Sequence, residues 1–416
     1  MRALSLLVVA LLVYARDPSL FRSPRFWAEE GTNYFGSAIT HGFLDGLSNL
    51  QAAPYNPYLH LVPHLATLVA AHLVPLTYAP LVTTFAWAAV LLAYELVALF
   101  GRAELLRAPW RRALAVATPL LAISDSENWA NTLGAHFYCD LALVLLLLEA
   151  RSSGGRRRAF AIAAFAVLAL SSPTSWFLLP AAALLTWKDR KPHAPYLGTL
   201  VAVTALNGLV SVFVFPRHVR EPPDLVYAPH IVVSKLLLWP LAGWRAATAY
   251  VDWVLRLDLG GVRSAALVAL VGSTVLAGTF LRYSRRDETT LVLASTYATA
   301  VAGYLLFGLG VGRGHLGLFN AGRYAWFPNA LLLLILANQL DFDRRQRPSP
   351  FQTIVAVALA AALVIGVSEF RYPRPVVTFA RAPSWRAEVR HHRRDPNYTL
   401  LRIAPGGWVV VVPSNR

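Results

Sequence analysis

Two glutamates stand side by side in Arg25-Phe26-Trp27-Ala28-Glu29-Glu30-Gly31-Thr32-Asn33. Adjacent carboxylates repel each other, and apolar surroundings raise at least one pKa towards a value suited to proton transfer. One of the pair could serve as a base while the other orients a substrate or a metal; a helix-capping acid pair is the bland alternative. Further along come Asn56, His60 and His64. On a helix the two histidines share one face a turn apart, a spacing that suits a metal or an interfacial polar stripe. No glutamate lies between them as in zinc proteases, so a divalent metal has no assured ligand set.

A third group is Ser124-Asp125-Ser126-Glu127-Asn128-Trp129-Ala130-Asn131, followed by His136 and Asp140. Asp140 opens an apolar run, where a carboxylate is costly unless it is paired, faces water or lies above the hydrocarbon. The fourth group is basic: Arg217, His218, Arg220, Lys235, Arg245, Arg313, His315 and Arg323, the last beside Tyr324. Arginine presents a planar donor fork to phosphate oxygens, although lipid headgroups satisfy the same fork.

The elements that must position these residues are membrane helices. Of 416 residues, 56% are hydrophobic and 14% charged, in apolar blocks separated by arginine clusters, which places the chain in the membrane class. A net charge of +16 on a soluble protein would point to nucleic acid. Here the basic residues end apolar blocks, as the positive-inside rule produces, and no nucleic-acid partner is expected. Cys139 is the only cysteine, which excludes an intramolecular disulfide and a multi-thiolate metal site.

Basic clusters at Arg2, Arg102–Arg112, Arg151–Arg158, Lys188–Lys191, Arg282–Arg286 and Arg344–Arg347 are read as cytoplasmic, so an even number of crossings separates each neighbouring pair. The expected spans are 3–15, 78–100, two within 113–150, two within 159–187, 198–215, 262–281, 289–310, 326–340 and 351–368, about eleven in all. The run 3–15 has no clear cleavage site and is read as a retained span. Ser171-Ser172-Pro173-Thr174 breaks 159–187 into two short pieces, because proline turns the chain. Residues 59–75, with their histidines and prolines, read as an amphipathic surface helix, and 230–257 as a surface-lying helix pair or two further crossings. Loops 16–76 and 216–261 and the tail 371–416 then lie outside, with the N-terminus cytoplasmic. In the tail, Leu401-Arg402-Ile403 and Trp408-Val409-Val410-Val411 flank Pro405-Gly406-Gly407 as a small hairpin. The expectation is an all-α polytopic bundle over 1–370 with a small extracytoplasmic tail.

Nearly every polar group thus falls on the outer side. Carboxylates and phosphate binders above a membrane body suit a substrate with a lipid tail, a phosphate at the interface and a group transferred outside. A glycosyl phosphate leaves as an anion, so arginine can stabilise it without a general acid, and a carboxylate can deprotonate the acceptor hydroxyl.

These motifs resemble those of the C-type, membrane-embedded glycosyltransferases, which use polyprenyl-phosphate-linked sugars. The likeness lies in Trp27-Ala28-Glu29-Glu30-Gly31, Tyr55-Asn56-Pro57-Tyr58-Leu59-His60, the turn from Asn128 to His136, Ser172-Pro173, Gly322-Arg323-Tyr324 and Pro405-Gly406-Gly407-Trp408. It is closest to a bacterial branch with a tryptophan-alanine-glutamate-acid-glycine motif. The resemblance implies Glu29 as base with Glu30 as partner and Arg323 at the donor phosphate. It also implies substrate contacts from Asn56, Tyr58, His60, Asn128, Asn131, His136 and Tyr324, to which the placement of polar and basic residues on the outer side adds His64, Arg217, Arg220 and Arg313. A bacterial cytoplasmic membrane, a polyprenyl-phosphate sugar donor and a glycan or lipid acceptor follow from it. Two features depart from the pattern: Glu-Glu where aspartate often comes first, and the lack of a large soluble C-terminal domain, which leaves acceptor recognition to the loops and tail. A lipid or glycan transporter, or a non-catalytic polysaccharide assembly partner, is the alternative; no internal repeat favours the former.

Overall fold

A computed structural model describes residues 2–43, 59–123, 126–214, 225–284, 287–308, 313–318, 322–340, 348–371 and 383–414. A helix stands at every stretch that the sequence reads as a span. These are α1 (Arg2–Arg16), α3 (Ala79–Phe100), α4 (Pro109–Leu121), α5 (Ala135–Glu149), α6 (Gly155–Leu170), α7 (Leu179–Lys188) and α8 (Arg190–Val214). Then follow α10 (Leu259–Tyr283), α11 (Glu288–Gly303), α12 (Trp326–Gln339) and α13 (Pro350–Ser368). Between them lie α2 (Leu61–His72) and α9 (Trp239–Arg256), and α14 (Trp385–Arg394) precedes strands β1 (Leu400–Arg402) and β2 (Val409–Val411).

Among the described residues, five helical stretches are long and apolar enough to cross a membrane: Leu76–Phe100, Leu225–Arg256, Leu259–Tyr283, Glu288–Leu306 and Pro350–Ser368. In α10 and α13 the side chains of Val268, Val275, Ile354 and Val364 are all more than 60% exposed, as suits helices long and apolar enough to face lipid. The chain is therefore a membrane protein, and among its described residues the only strands are those of the tail hairpin. Helices α4, α7 and α12 are shorter than a usual span, at 13, 10 and 14 residues. By contrast α5 is buried on all sides, with Phe137 to Leu145 shielded throughout.

Asp140 in α5 meets the condition set by its cost, since it accepts hydrogen bonds from Ser172 Oγ at 2.6 Å and Thr174 Oγ1 at 2.5 Å. It thereby ties the proline turn between α6 and α7 to the centre of the bundle. At the other end of α5, Glu149 accepts from Arg157 Nε at 3.0 Å, and Arg157 also donates to the carbonyl of Phe100 at the end of α3. Nearby, Arg151 pairs with Asp189 and Glu288. Arg151 and Arg157 therefore sit at the shared end of α3 and α5. His136 opens α5 about 20 Å away, at roughly 1.5 Å of rise per residue.

Helix α2 is more enclosed than a surface helix: Pro63, His64, Ala66, Thr67, Leu68, Ala70 and Ala71 are buried. What encloses it is the first loop together with the tail. Phe26, Phe35, Ile39, Leu68, Trp385, Val389, Leu401, Ile403 and Val410 form one hydrophobic core shared by all three. The hairpin pairs Leu400 with Val411 and Arg402 with Val409.

The stretch Leu225–Arg256 is bent, not straight. Gly243 sits at φ 85°, ψ 167°, a conformation open chiefly to glycine, and separates two helical pieces. Glu369, just past α13, fills the break by accepting from Trp239 Nε1 at 2.9 Å and the Trp244 amide at 2.8 Å.

Candidate active site

The acidic loop is held open by the tail. The Ala28 amide donates to Ala404 O at 2.5 Å and the Ala404 amide to Phe26 O at 3.1 Å, a strand-like contact that leaves Ala28 at φ 34°. Thr32 Oγ1 donates to Val409 O at 2.8 Å, and Phe26 stacks on Phe35 and meets the edge of Trp385. From Glu30 the chain turns into a π-helical segment, Glu30–Phe35, which sends the two neighbouring acids to different places.

Glu30 points inward. Its side chain accepts from the Thr132 amide at 2.7 Å, Thr132 Oγ1 at 2.6 Å and the Trp27 amide at 3.3 Å, at 1% exposure. Burial, opposed by these hydrogen bonds, pushes its carboxyl up to about 7. Glu30 therefore fastens the first loop to the turn before α5 and does not line the cleft next to it. Glu29 does line it, and its buried Oε2 has no hydrogen-bond partner among the described residues.

Around Glu29 the cleft brings together Trp27, His60, Glu127, His136, Arg323 and Tyr324. Arg323 lies in the 3-10 turn Gly322–Ala325 that leads into α12. Its Nη1 donates to Glu127 Oε2 at 3.2 Å, and its guanidinium lies 5.1 Å from the Tyr324 ring centroid. Burial works against that charge, but Tyr324, Glu127 and Glu29 outweigh it and hold the arginine firmly protonated. Burial likewise holds the Glu127 carboxyl above the ordinary range, with Arg323 pulling it down and Glu29 pushing it up.

The His60 and His136 rings are 5.4 Å apart. Tyr34 Oη lies 3.3 Å from His60 Nδ1. Burial, reinforced by His136, pushes the His60 pKa well below its ordinary value, so this ring is a neutral hydrogen-bonding group. His136 Nδ1 contacts the Leu133 carbonyl, which can only accept, so Nδ1 carries the proton there.

The structure thus converges five of the residues singled out in the sequence: Glu29, His60, His136, Arg323 and Tyr324. Asn128 and Asn131 stand behind them, as Asn128 Nδ2 donates to Arg323 O at 2.8 Å and Asn131 Nδ2 to Glu127 O at 2.5 Å. His64 is buried a turn further along α2 and does not line the cleft. Arg313 lies elsewhere: it donates to Leu255 O at 3.1 Å and lines a second cleft between the end of α9 and the start of α10. Asn56, Tyr58, Arg217 and Arg220 fall outside the described residues.

Glu127 is the cleft residue that the sequence does not single out as a site. Its signal is its place in the same outer turn as Asn128 and His136, but nothing in the sequence distinguishes it from Asp125. Among the described residues, no three histidine, cysteine, aspartate or glutamate side chains converge as a metal site requires. No family model matches the chain, and no curated protein or solved structure matches it.

Proposed function

We propose that the chain is a glycosyltransferase that moves a sugar from a polyprenyl-phosphate carrier to an extracytoplasmic glycan or lipid acceptor. In this reading about eleven helices cross a bacterial cytoplasmic membrane, and the cleft opens on the outer side. One observation carries it: a carboxylate with a buried oxygen unpartnered among the described residues, Glu29, lines the same cleft as the guanidinium of Arg323. An acceptor hydroxyl placed at Glu29 loses its proton to the carboxylate as its oxygen bonds to the sugar's anomeric carbon. The bond from that carbon to the phosphate oxygen breaks, and the departing anion stays with Arg323. Attack opposite the leaving group inverts the anomeric centre. His60, as a neutral ring, and the Tyr324 hydroxyl supply hydrogen bonds to sugar or phosphate.

The test is turnover of radiolabelled polyprenyl-phosphate sugars by protein in nanodiscs, wild type beside Glu29→Gln. A general base contributes about 10²–10⁴ in rate, so the variant should lose at least about a hundredfold while remaining folded. Unchanged activity in that variant removes Glu29 as base. A folded wild type that neither transfers nor hydrolyses any donor of a broad panel overturns the transferase reading.

A further inference from the structure

We infer that Glu127 and an incoming phosphodiester compete for Arg323, so that the anion site of the cleft carries its own counter-ion, which takes up a proton when it yields. The phosphodiester is taken from the proposed transferase reading; the competition follows from geometry. Arg323 Nη1 lies 3.2 Å from Glu127 Oε2, and both side chains keep 29% of their surface open to the cleft. An anion arriving at that face meets a guanidinium already engaged.

Among the described residues, charges from three separate elements act on Glu127. Arg323 approaches from the turn before α12, Glu29 from the first loop and Lys235 from the π-helical segment Val232–Leu238. His60 and His136 line the same cleft. Once Arg323 pairs with a phosphodiester, the ligand's charge offsets the guanidinium and Glu127 loses that hydrogen bond, while burial and Glu29 still oppose its charge and, among the described residues, Lys235 remains to favour it. A part-buried carboxylate so placed is driven to its neutral form. The balance is simple: the pair Arg323⁺ and Glu127⁻, one phosphodiester anion and one solvent proton become an Arg323⁺–phosphodiester pair and a neutral Glu127. No covalent bond changes.

The competition can be probed without moving the arginine. Asn128 holds the Arg323 carbonyl and Asn131 holds the Glu127 carbonyl, so the two backbones stay clamped when the Glu127 charge is removed. Glu127→Gln therefore frees the guanidinium in place.

The experiment uses the full chain in phosphatidylcholine nanodiscs and a short-chain dialkyl phosphate, a phosphodiester monoanion that does not titrate near neutral pH. Calorimetry in two buffers of different ionisation heat reads both affinity and protons taken up. Wild type should bind with net proton uptake and tighten as pH falls. Glu127→Gln should bind about two- to fivefold tighter, the scale of a part-exposed ion pair, with less proton uptake and a shallower pH dependence than wild type. Arg323→Gln should lose binding. Equal or weaker binding by folded Glu127→Gln overturns the inference. If that variant does not fold, wild-type binding without proton uptake overturns it equally. Repeating the titration in discs containing phosphatidylglycerol, itself a phosphodiester, separates headgroups from a ligand entering the cleft, because only a headgroup that reaches Arg323 weakens the probe. Diester binding of this kind without sugar transfer keeps the competition and removes the transferase; transfer with unaltered Glu127→Gln binding does the reverse.

Discussion

Gly31 is where the tail bears on the acidic loop. A Cβ at this position would lie 2.5 Å from Ile403 Cδ1, 2.9 Å from Phe26 Cβ and 3.1 Å from Val410 Cγ2. Ile403, Phe26 and Val410 are all fully buried, so none can swing into solvent. Overpacking of this kind costs about 1–3 kcal/mol. Against it stands the roughly 1 kcal/mol by which alanine favours a helical turn over glycine. The overlaps at 2.5 and 2.9 Å are too close to be absorbed without backbone movement. Gly31→Ala should therefore destabilise by up to about 2 kcal/mol net, the upper end of the difference, because both close overlaps are with fully buried groups.

Ile403→Val removes the atom in closest conflict and by itself should cost about 0.5–1.5 kcal/mol. The double variant should be more stable than the sum of the singles, with a coupling of about 1 kcal/mol and incomplete rescue because Phe26 Cβ remains. Unfolding midpoints in mild detergent, followed by tryptophan fluorescence, give the four corners of this cycle. Donor turnover should fall in Gly31→Ala and partly recover in the double variant, since the same contact sets the position of Glu29. A Gly31→Ala protein as stable as wild type, or strictly additive effects, would refute the clamp.

Because Glu30 titrates higher in the folded chain than its ordinary 4.5, the native state holds the extra proton between those values, and stability should fall by at most a few kcal/mol as pH rises from about 4.5 to 7, then level off. Glu30→Gln should flatten that slope in detergent unfolding curves, and an unchanged slope would contradict it. Glu388 behaves in the opposite sense: burial raises its pKa, but hydrogen bonds from Arg402 and Tyr398 outweigh it and leave a net lowering, so its stabilisation holds above the ordinary carboxylate range and fades as pH falls through the folded value. Protection factors across β1 and β2, corrected for the intrinsic pH dependence of amide exchange, should therefore fall in acid in wild type and lose that dependence in Glu388→Gln. Gly243→Ala places a Cβ at φ 85° and 3.2 Å from Glu369 Oε1, and should cost about 1–3 kcal/mol, read as a lower unfolding midpoint; a midpoint equal to wild type would show that the bend tolerates a side chain.

Much of the architecture was legible in the amino-acid order. Apolar runs advertise helices by length and composition, so a helix lies in each expected stretch, and among the described residues five helical stretches are long and apolar enough to cross a membrane. The break at Ser172-Pro173 and the tail hairpin were equally readable, because proline and Pro-Gly-Gly act on the backbone locally. The cleft was legible in part: Glu29, His60, His136, Arg323 and Tyr324 could be named because polar residues next to apolar blocks are conspicuous.

Sequence could not decide which of two adjacent glutamates faces the cleft. That depends on the π-helical turn and on Thr132, 102 residues away, whose amide and hydroxyl claim Glu30. Nor could it show that the distant tail braces the acidic loop, since Thr32 and Val409 meet only by packing, at a separation of 377 residues. Glu127 became visible for the same reason: an acid gains meaning from the arginine opposite it, and Arg323 lies 196 residues further along the chain. Local order sets which segments are helical and where they end; long-range burial and hydrogen-bond satisfaction decide which side chain turns inward to anchor and which remains in the cleft.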